Sequence, residues 1–339
     1  MSESAVATGV PAEGAQRGAG RAGRGARAGR LGRADEPVGA RTHRLLAAVP
    51  TSVLWLLVVL WTIPSIGLLV NSLRPERKQI ESGWWAVITD PSFTFDNYHA
   101  ALFNPPGGTL PFWKAFVNSI AIAVPGTIVP VALAAAAAYA FAWMDFKGRH
   151  WLFVLVILLM AVPLQMALVP LQQLFSGGAH ISLFDTTFTV IPDLDLNNKP
   201  ISVWLSHTAF GLPLAIYLLH NYIASLPGDV FEAARIDGAN HFGIFWRIVL
   251  PLSLPAIAAF SIFQFLWVWN DYLLALIFLN QNLDAQPLTI PLVNLVTSRG
   301  QGTELLPAAA FISMVVPLII FFSLQRYFVR GLLAGSVKG

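Results

Sequence analysis

Glu232-Ala233-Ala234-Arg235-Ile236-Asp237-Gly238-Ala239-Asn240 is a short polar stretch set between two long apolar runs, residues 202–223 and 253–279. Such a stretch is too polar to sit in hydrocarbon, so it marks where one membrane-length segment ends and the next begins. Pro227-Gly228-Asp229 just before it has the make-up of a helix start. Proline suits the first turn, and an early acid favours the positive end of the helix dipole. Residues 229–236 then predict about two helical turns, with Glu232 and Arg235 at i,i+3. Gly238 can turn the chain through a conformation closed to most residues. A second helix is expected from about Asn240 into Leu250, with Phe242, Phe245 and Trp246 on an apolar side. Pro251 and Pro255 are expected to reset the direction into the following span.

Working outward, apolar residues make up 55% of the 339 and charged residues 12%, about half the charged share of a soluble protein. Six windows are long enough to cross about 30 Å of hydrocarbon as helix: 45–71, 115–143, 151–175, 202–223, 253–279 and 306–328. Backbone groups in lipid must be satisfied internally, and the alternation of barrel strands is missing, so the reading is an all-α integral membrane bundle. Pro64, Pro125, Pro130, Pro163, Pro170, Pro213 and Pro317 lie inside these windows and predict bent helices. The run from Ala134 to Ala138 offers a smooth face for close helix approach.

Residues 1–43 carry no apolar periodicity, and eight arginines fall between Arg17 and Arg44. They read as a disordered cytoplasmic tail that orients the chain and meets anionic lipid. A nucleic-acid arm is the sharper but weaker reading, and no nucleic-acid partner is expected. With both termini inside, fifteen of the 21 Lys and Arg lie in the cytoplasm against six outside; without the tail the count is seven to six. The expected localisation is therefore a multi-pass plasma-membrane protein with both termini cytoplasmic. Loops 144–150 and 224–252 then face the cytoplasm, and segments 72–114, 176–201 and 280–305 face out, with Trp84, Trp85 and Trp113 at the outer surface. The chain has no cysteine, which excludes disulfides and thiolate chemistry. The first apolar run is too long for a signal-peptide core.

Physics alone leaves two readings of the loop 224–252: a small helix that seats in a groove of a soluble partner, or an interfacial helix with no partner. Glu232-Ala233-Ala234, then Asp237-Gly238-Ala239, then Pro251, resembles the EAA signature of permease subunits in binding-protein-dependent ABC importers. The resemblance extends over nearly all of residues 45–339. Asn118-Ser119 opening the second span, Trp269-Asn270-Asp271 in the fifth, and the ending Gly331-Leu332-Leu333-Ala334-Gly335-Ser336-Val337-Lys338-Gly339 are similar to the carbohydrate-uptake subfamily. Within it the chain resembles the six-span maltose-type partner, with an α-glucoside or other oligosaccharide as the implied cargo. The Arg-rich first 43 residues have no counterpart there.

The resemblance implies a type I importer bundle over 44–328 and a cytoplasmic tail over 329–339. It also implies a set of partners: a second permease subunit, two ATPase subunits, an extracytoplasmic sugar-binding protein and the sugar itself. Glu232, Ala233, Ala234, Asp237, Gly238, Ala239 and Phe245 would carry the mechanical coupling to the ATPases. Gly335, Ser336, Val337, Lys338 and Gly339 would reach into the ATPase dimer, and loop 280–305, with Gly300 and Gly302, would probe the binding protein.

No G-x-x-x-x-G-K-[ST] loop is present, so ATP and its magnesium are expected on a partner rather than here, and the chain is expected to be a transporter subunit rather than an enzyme. The seven histidines are scattered without zinc spacing, and Asp185, Asp193 and Asp195 do not fit a calcium loop; both sets read as ordinary surface or hydrogen-bonded residues, with no metal and no cofactor. Asp271 is the one acid expected within a span or near its polar boundary. A carboxylate at the centre of a bilayer costs about 2.5–3.5 kcal/mol and so faces protein or water. Asp271, Asn270, Trp267, Gln264 and Asn118 are accordingly the candidates for the substrate pathway, weighed against plain interhelical hydrogen bonding. Two alternatives are carried forward: an ABC permease for a non-sugar solute, and a secondary transporter or channel acting alone. The second predicts buried coupling charges, which the spans lack apart from Asp271.

Overall fold

The structure is a computed structural model that describes residues 50–183, 186–297 and 302–336. The expectations for the tail 1–43, Asp185, Gly300, Val337, Lys338 and Gly339 fall outside the described residues. The chain forms two compact units, residues 1–63 and 64–339. In the first, the described residues are the opening turns of α1 (Thr51–Ser72), with Trp55, Leu56, Leu60 and Trp61 all exposed. A helix apolar on every side is one built for lipid.

The second unit opens with short helices α2 (Glu76–Glu81) and α3 (Asp96–Phe103). Just past α1, Arg74 is 1% exposed and donates to the Ser82 and Gly83 carbonyls after α2 at 3.1 and 3.0 Å, while α3 is tied in by Asn97, which donates to the Ser72 and Arg74 carbonyls at 3.0 and 2.8 Å. The core is the pair α4 (Phe112–Trp143) and α7 (Pro200–Ala224). Ala134, Ala135 and Ala138 are buried in one cluster with Ala215, Leu219 and Ile223. The alanine run thus serves as the close-packing face its lack of side-chain bulk suggested.

Between them, the third window breaks beside Pro163, one of the prolines expected to bend it. It is not one helix but two, α5 (Arg149–Leu159) and α6 (Leu164–Gly177), bent by 103°. Pro163 has no N–H and pushes the residue before it out of the helical region, which ends α5's ladder and starts a new one. Among the described residues, five helices are long and apolar enough to cross a membrane, or six when this bent pair is one span.

The segment 176–201, read from sequence as solvated loop in an all-α chain, contains an antiparallel hairpin, β1 (Ala179–Leu183) with β2 (Thr186–Ile191). Period-2 alternation explains it: His180 and Ser182 stand opposite Thr189 and Thr187 on one face, and Ile181 stands opposite Phe188 on the other. Asp193 and Asp195 shape the loop that follows. Asp195 N–H donates to Asp193 at 2.8 Å, and the Asp195 carboxylate pairs with Lys199 at 2.6 Å.

The polar stretch folds as α8 (Gly228–Ile236) and α9 (His241–Ile244). Here a second correction is needed. Pro251 and Pro255 do not redirect the chain: α9, a π turn over Phe245–Val249 and α10 (Leu250–Trp269) run on as one helical span, His241–Trp269. Pro251 falls in α10's first turn, immediately after the π turn, and that local change in ladder spacing accommodates its missing N–H without ending the span. The span also ends at Trp269, ten residues short of the expected boundary. Asn270 and Asp271 turn the chain into α11 (Leu273–Phe278), followed by α12 (Thr289–Thr297) and the last long helix α13 (Leu306–Ser336).

Candidate functional site: the elbow between α7 and α10

α8 leaves α7 through Pro227, whose extended conformation (φ −60°, ψ 125°) sets the N-cap. The helix is held from beneath chiefly by a buried aromatic ring. Phe231 is 1% exposed and lies flat on Trp143, with ring centroids 3.9 Å apart and planes 15° apart. Trp143 is itself fixed because its indole N–H donates to the Ile223 carbonyl at 3.0 Å. Arg235, expected beside Glu232, instead donates to the Trp143 carbonyl at 3.3 Å. α8 is therefore pinned to the ends of α4 and α7, the two helices of the core.

The bend after α8 is a Schellman cap. Gly238 N–H donates to Arg235 O at 3.0 Å and Ala239 N–H to Ala234 O at 2.9 Å. Closing both bonds requires φ of +79° at Gly238, a conformation glycine adopts at no steric cost. Asn240 then caps α9, its side-chain oxygen accepting from Gly243 N–H at 2.8 Å. His241 Nδ1 lies 2.9 Å from the Tyr139 hydroxyl, and Phe245 packs 5.7 Å from the Tyr139 ring. The aromatic ties of Phe231, His241 and Phe245 thus fasten the elbow to Trp143 and Tyr139 of α4.

The motif residues point the other way. Glu232, Ala233, Asp237, Gly238 and Ala239 are exposed, Ala234 is buried and Phe245 is half-buried. Ile236 is 86%, Phe242 72% and Trp246 55% exposed. Phe242 and Trp246 therefore do not share Phe245's buried side. They flank an open cleft of about 470 Å³ lined by Gly238, Asn240, Gly243 and Arg247. The sequence reading missed Trp143, Tyr139 and Asn240 as the residues that hold the elbow. Of these, only Asn240, an Asn immediately before an apolar run, carried a recognisable cap signal.

The pathway candidates run from mid-bundle, at Gln264, to the end away from the elbow, and are mostly engaged in internal bonds. Asn118 donates to the carbonyls of Asp284 and Gln286 at 2.6 and 3.1 Å. Gln264 is fully buried and donates to Gly126 O at 3.1 Å. It fits because Gly211 opposite has no side chain: a Cβ there would come within 2.8 Å of the amide oxygen. Asp271 lies in the turn after α10, at the boundary of the span rather than inside it. Its carboxylate accepts from Leu274 and Ala275 N–H at 3.0 and 3.2 Å and so starts α11. Trp267 stands edge-on to His207, 5.2 Å away, and Asn270 is exposed with its amide on Leu266 O at 2.8 Å. His207, not among the candidates, is fully buried 3.7 Å from Asp271 and, among the described residues, neither ring nitrogen has a hydrogen-bond partner.

With this geometry in hand, comparison with known proteins is informative. Over 283 residues the chain is 51% identical to the osmoprotective compounds uptake permease protein GgtD of Synechocystis sp., covering 82% of this chain and 88% of that one. It is 50% identical over 272 residues to the alpha-glucoside transport system permease protein AglG of Rhizobium meliloti, covering 80% and 67%. The arabinooligosaccharides transport system permease protein AraQ of Bacillus subtilis is 34% identical over 284 residues, covering 84% and 93%. The fold is shared with a chain of the crystal structure of a bacterial alginate ABC transporter in complex with alginate pentasaccharide-bound periplasmic protein, at a TM-score of 0.58 and 17% identity, covering 85% of this chain and 94% of that one. Residues 128–333, the elbow included, match the family described as binding-protein-dependent transport system inner membrane component. The chain belongs to that family: it is an inner-membrane permease component of a transport system that depends on a binding protein.

Proposed function

We propose that this chain is one of two membrane subunits of an ATP-driven importer for sugars, of the α-glucoside or a related oligosaccharide class. The observation that carries the proposal is the two-sided elbow. Its inner face is locked onto the core helices through Phe231 and Trp143, while Glu232, Ala233, Asp237 and Gly238 on its outer face are exposed. A lever that moves the bundle needs both properties: a rigid attachment inward and a free surface for the motor. Permeases for α-glucosides and arabinooligosaccharides among the relatives support the sugar cargo.

In this reading two ATPase subunits dock on the elbows of the two permeases, both termini lie in the cytoplasm, and the tail from Gly335 to Gly339 reaches the ATPase pair. The segment 280–305 at the far end meets the sugar-loaded binding protein. The Synechocystis relative favours a second reading of the cargo alone, a small osmoprotective solute. Thermal shift of the cognate binding protein with oligosaccharides against small osmolytes separates the two.

Gly238 provides the test of coupling. A Cβ built there meets nothing within 4 Å, so Gly238→Ala and Gly238→Trp carry a similar backbone cost, about 1 kcal/mol for a single left-handed residue. Only the indole would obstruct a docked partner. In the reconstituted complex, Gly238→Trp is expected to cut sugar-stimulated ATPase activity at least about tenfold, whereas Gly238→Ala stays within about fivefold, the equivalent of that 1 kcal/mol. Equal activity of the two variants would refute the docking of a motor on this face.

A further inference from the structure

The two halves of the broken third span expose different chemistry. Along α5, every exposed side chain from Trp151 to Leu159 is apolar, as a helix facing lipid requires. On α6, Gln165, Gln173 and Ser176 are exposed and Gln172 is half-buried. Gln165, Gln172 and Ser176 lie at i, i+7 and i+11, within a narrow arc of one helix face. Among the described residues the three amide side chains hydrogen-bond to no other group. An unpaired amide in hydrocarbon costs roughly 4–8 kcal/mol on cyclohexane transfer, so this face does not look onto lipid.

The joint supplies a second, independent observation. Met160, Ala161, Val162 and Pro163 are all exposed and interrupt the helix about 16 Å along from the start of α5. Irregular backbone at membrane depth is tolerated only where protein buries it or a water-filled cavity lines it.

We propose that the exposed face of α6, carried by Gln165, Gln172, Gln173 and Ser176, lines the aqueous route of the transported solute and contacts an uncharged, polyhydroxylated molecule. α6 carries no charged residue. Neutral amides both donate to and accept from hydroxyls, and Val169 on the same face offers an apolar surface for sugar C–H groups. The pathway wall therefore includes residues outside the set picked from sequence, whose own polar groups are largely occupied in holding helices together. This inference rests on the permease reading above.

The chain's lack of cysteine makes the test clean. Gln165→Cys and Gln173→Cys are introduced singly, with Leu158→Cys on α5 as the lipid-facing control. The assembled complex in lipid nanodiscs is treated with a charged, membrane-impermeant methanethiosulfonate. Because the reactive thiolate is excluded from hydrocarbon, positions 165 and 173 are expected to react at least about tenfold faster than position 158, and a saturating transported sugar is expected to slow them. Reaction as slow as at 158 would place the face in lipid. Fast reaction only when the chain is purified without its partner permease would make it a subunit interface. Fast reaction unaffected by sugar would remove the solute contact. Each of these overturns the proposal, and none touches the coupling result at Gly238.

Discussion

The elbow over residues 228–250 and the far-end seam around Asn118 and Asp271 are both built from polar residues at the ends of apolar helices, yet they use them in opposite ways. In the seam, Asn118 and Asp271 turn inward and saturate backbone groups of the chain itself. In the elbow, aromatic residues do the holding, and Glu232, Asp237 and Gly238 are left facing out. A polar residue at a helix end thus marks a docking surface only where something else already secures the backbone. Where the residue is itself the fastening, it belongs to the fold.

That contrast can be broken experimentally, beginning with the fastening of the elbow. Phe231→Ala removes a fully buried ring from its stack on Trp143 and should cost about 3 kcal/mol locally. Amide exchange over residues 228–236 should accelerate on the order of 100-fold, with loss of ATPase coupling. Unchanged exchange would mean the stack is not the anchor. Asp271→Ala should cost about 1–2 kcal/mol, the usual loss for a removed helix cap. Exchange at Leu274 and Ala275 should rise about tenfold while the elbow stays unaffected, and Asp271→Asn, which keeps an acceptor oxygen, should recover most of the loss. A purely functional defect with normal exchange would return Asp271 to the pathway candidates. Glu232→Gln is the mildest change to the fold. Its side chain is exposed, so stability should stay within about 0.5 kcal/mol of the parent, while sugar-stimulated ATPase activity falls. A stability loss as large as that of Asp271→Ala would erase the distinction between the two regions.

A similar contrast exists within the third span. The apolar run 151–175 read as one helix because hydropathy averages over the stretch and treats Gln165, Gln172 and Gln173 as minor interruptions. The break at Pro163 changes their meaning, since it turns the second half so that its amides are exposed. The hairpin over 179–191 was missed for a related reason. Its strands are only five and six residues long, and in so short a run alternation is easily read as loop. The π turn before Pro251 was beyond sequence reasoning as well, because a proline at a helix start and a proline at a bend have the same local signature.

Sequence by itself determined that long apolar segments cross the membrane as helices and that the stretch from Glu232 to Asn240 separates two of them with a glycine-jointed bend. These follow from composition, length and the conformational freedom of Gly238, all local properties. Tertiary structure alone decided which side chains are fastenings and which are free surface: Trp143 under Phe231, Gln264 in the space left by Gly211, Asp271 on the amides of α11, and the glutamines of α6 left unpaired. The physical reason is that whether a polar or aromatic group is satisfied depends on neighbours far along the chain, 138 residues away for Gln264 and Gly126 and 168 for Asn118 and Gln286, and no local pattern encodes that distance.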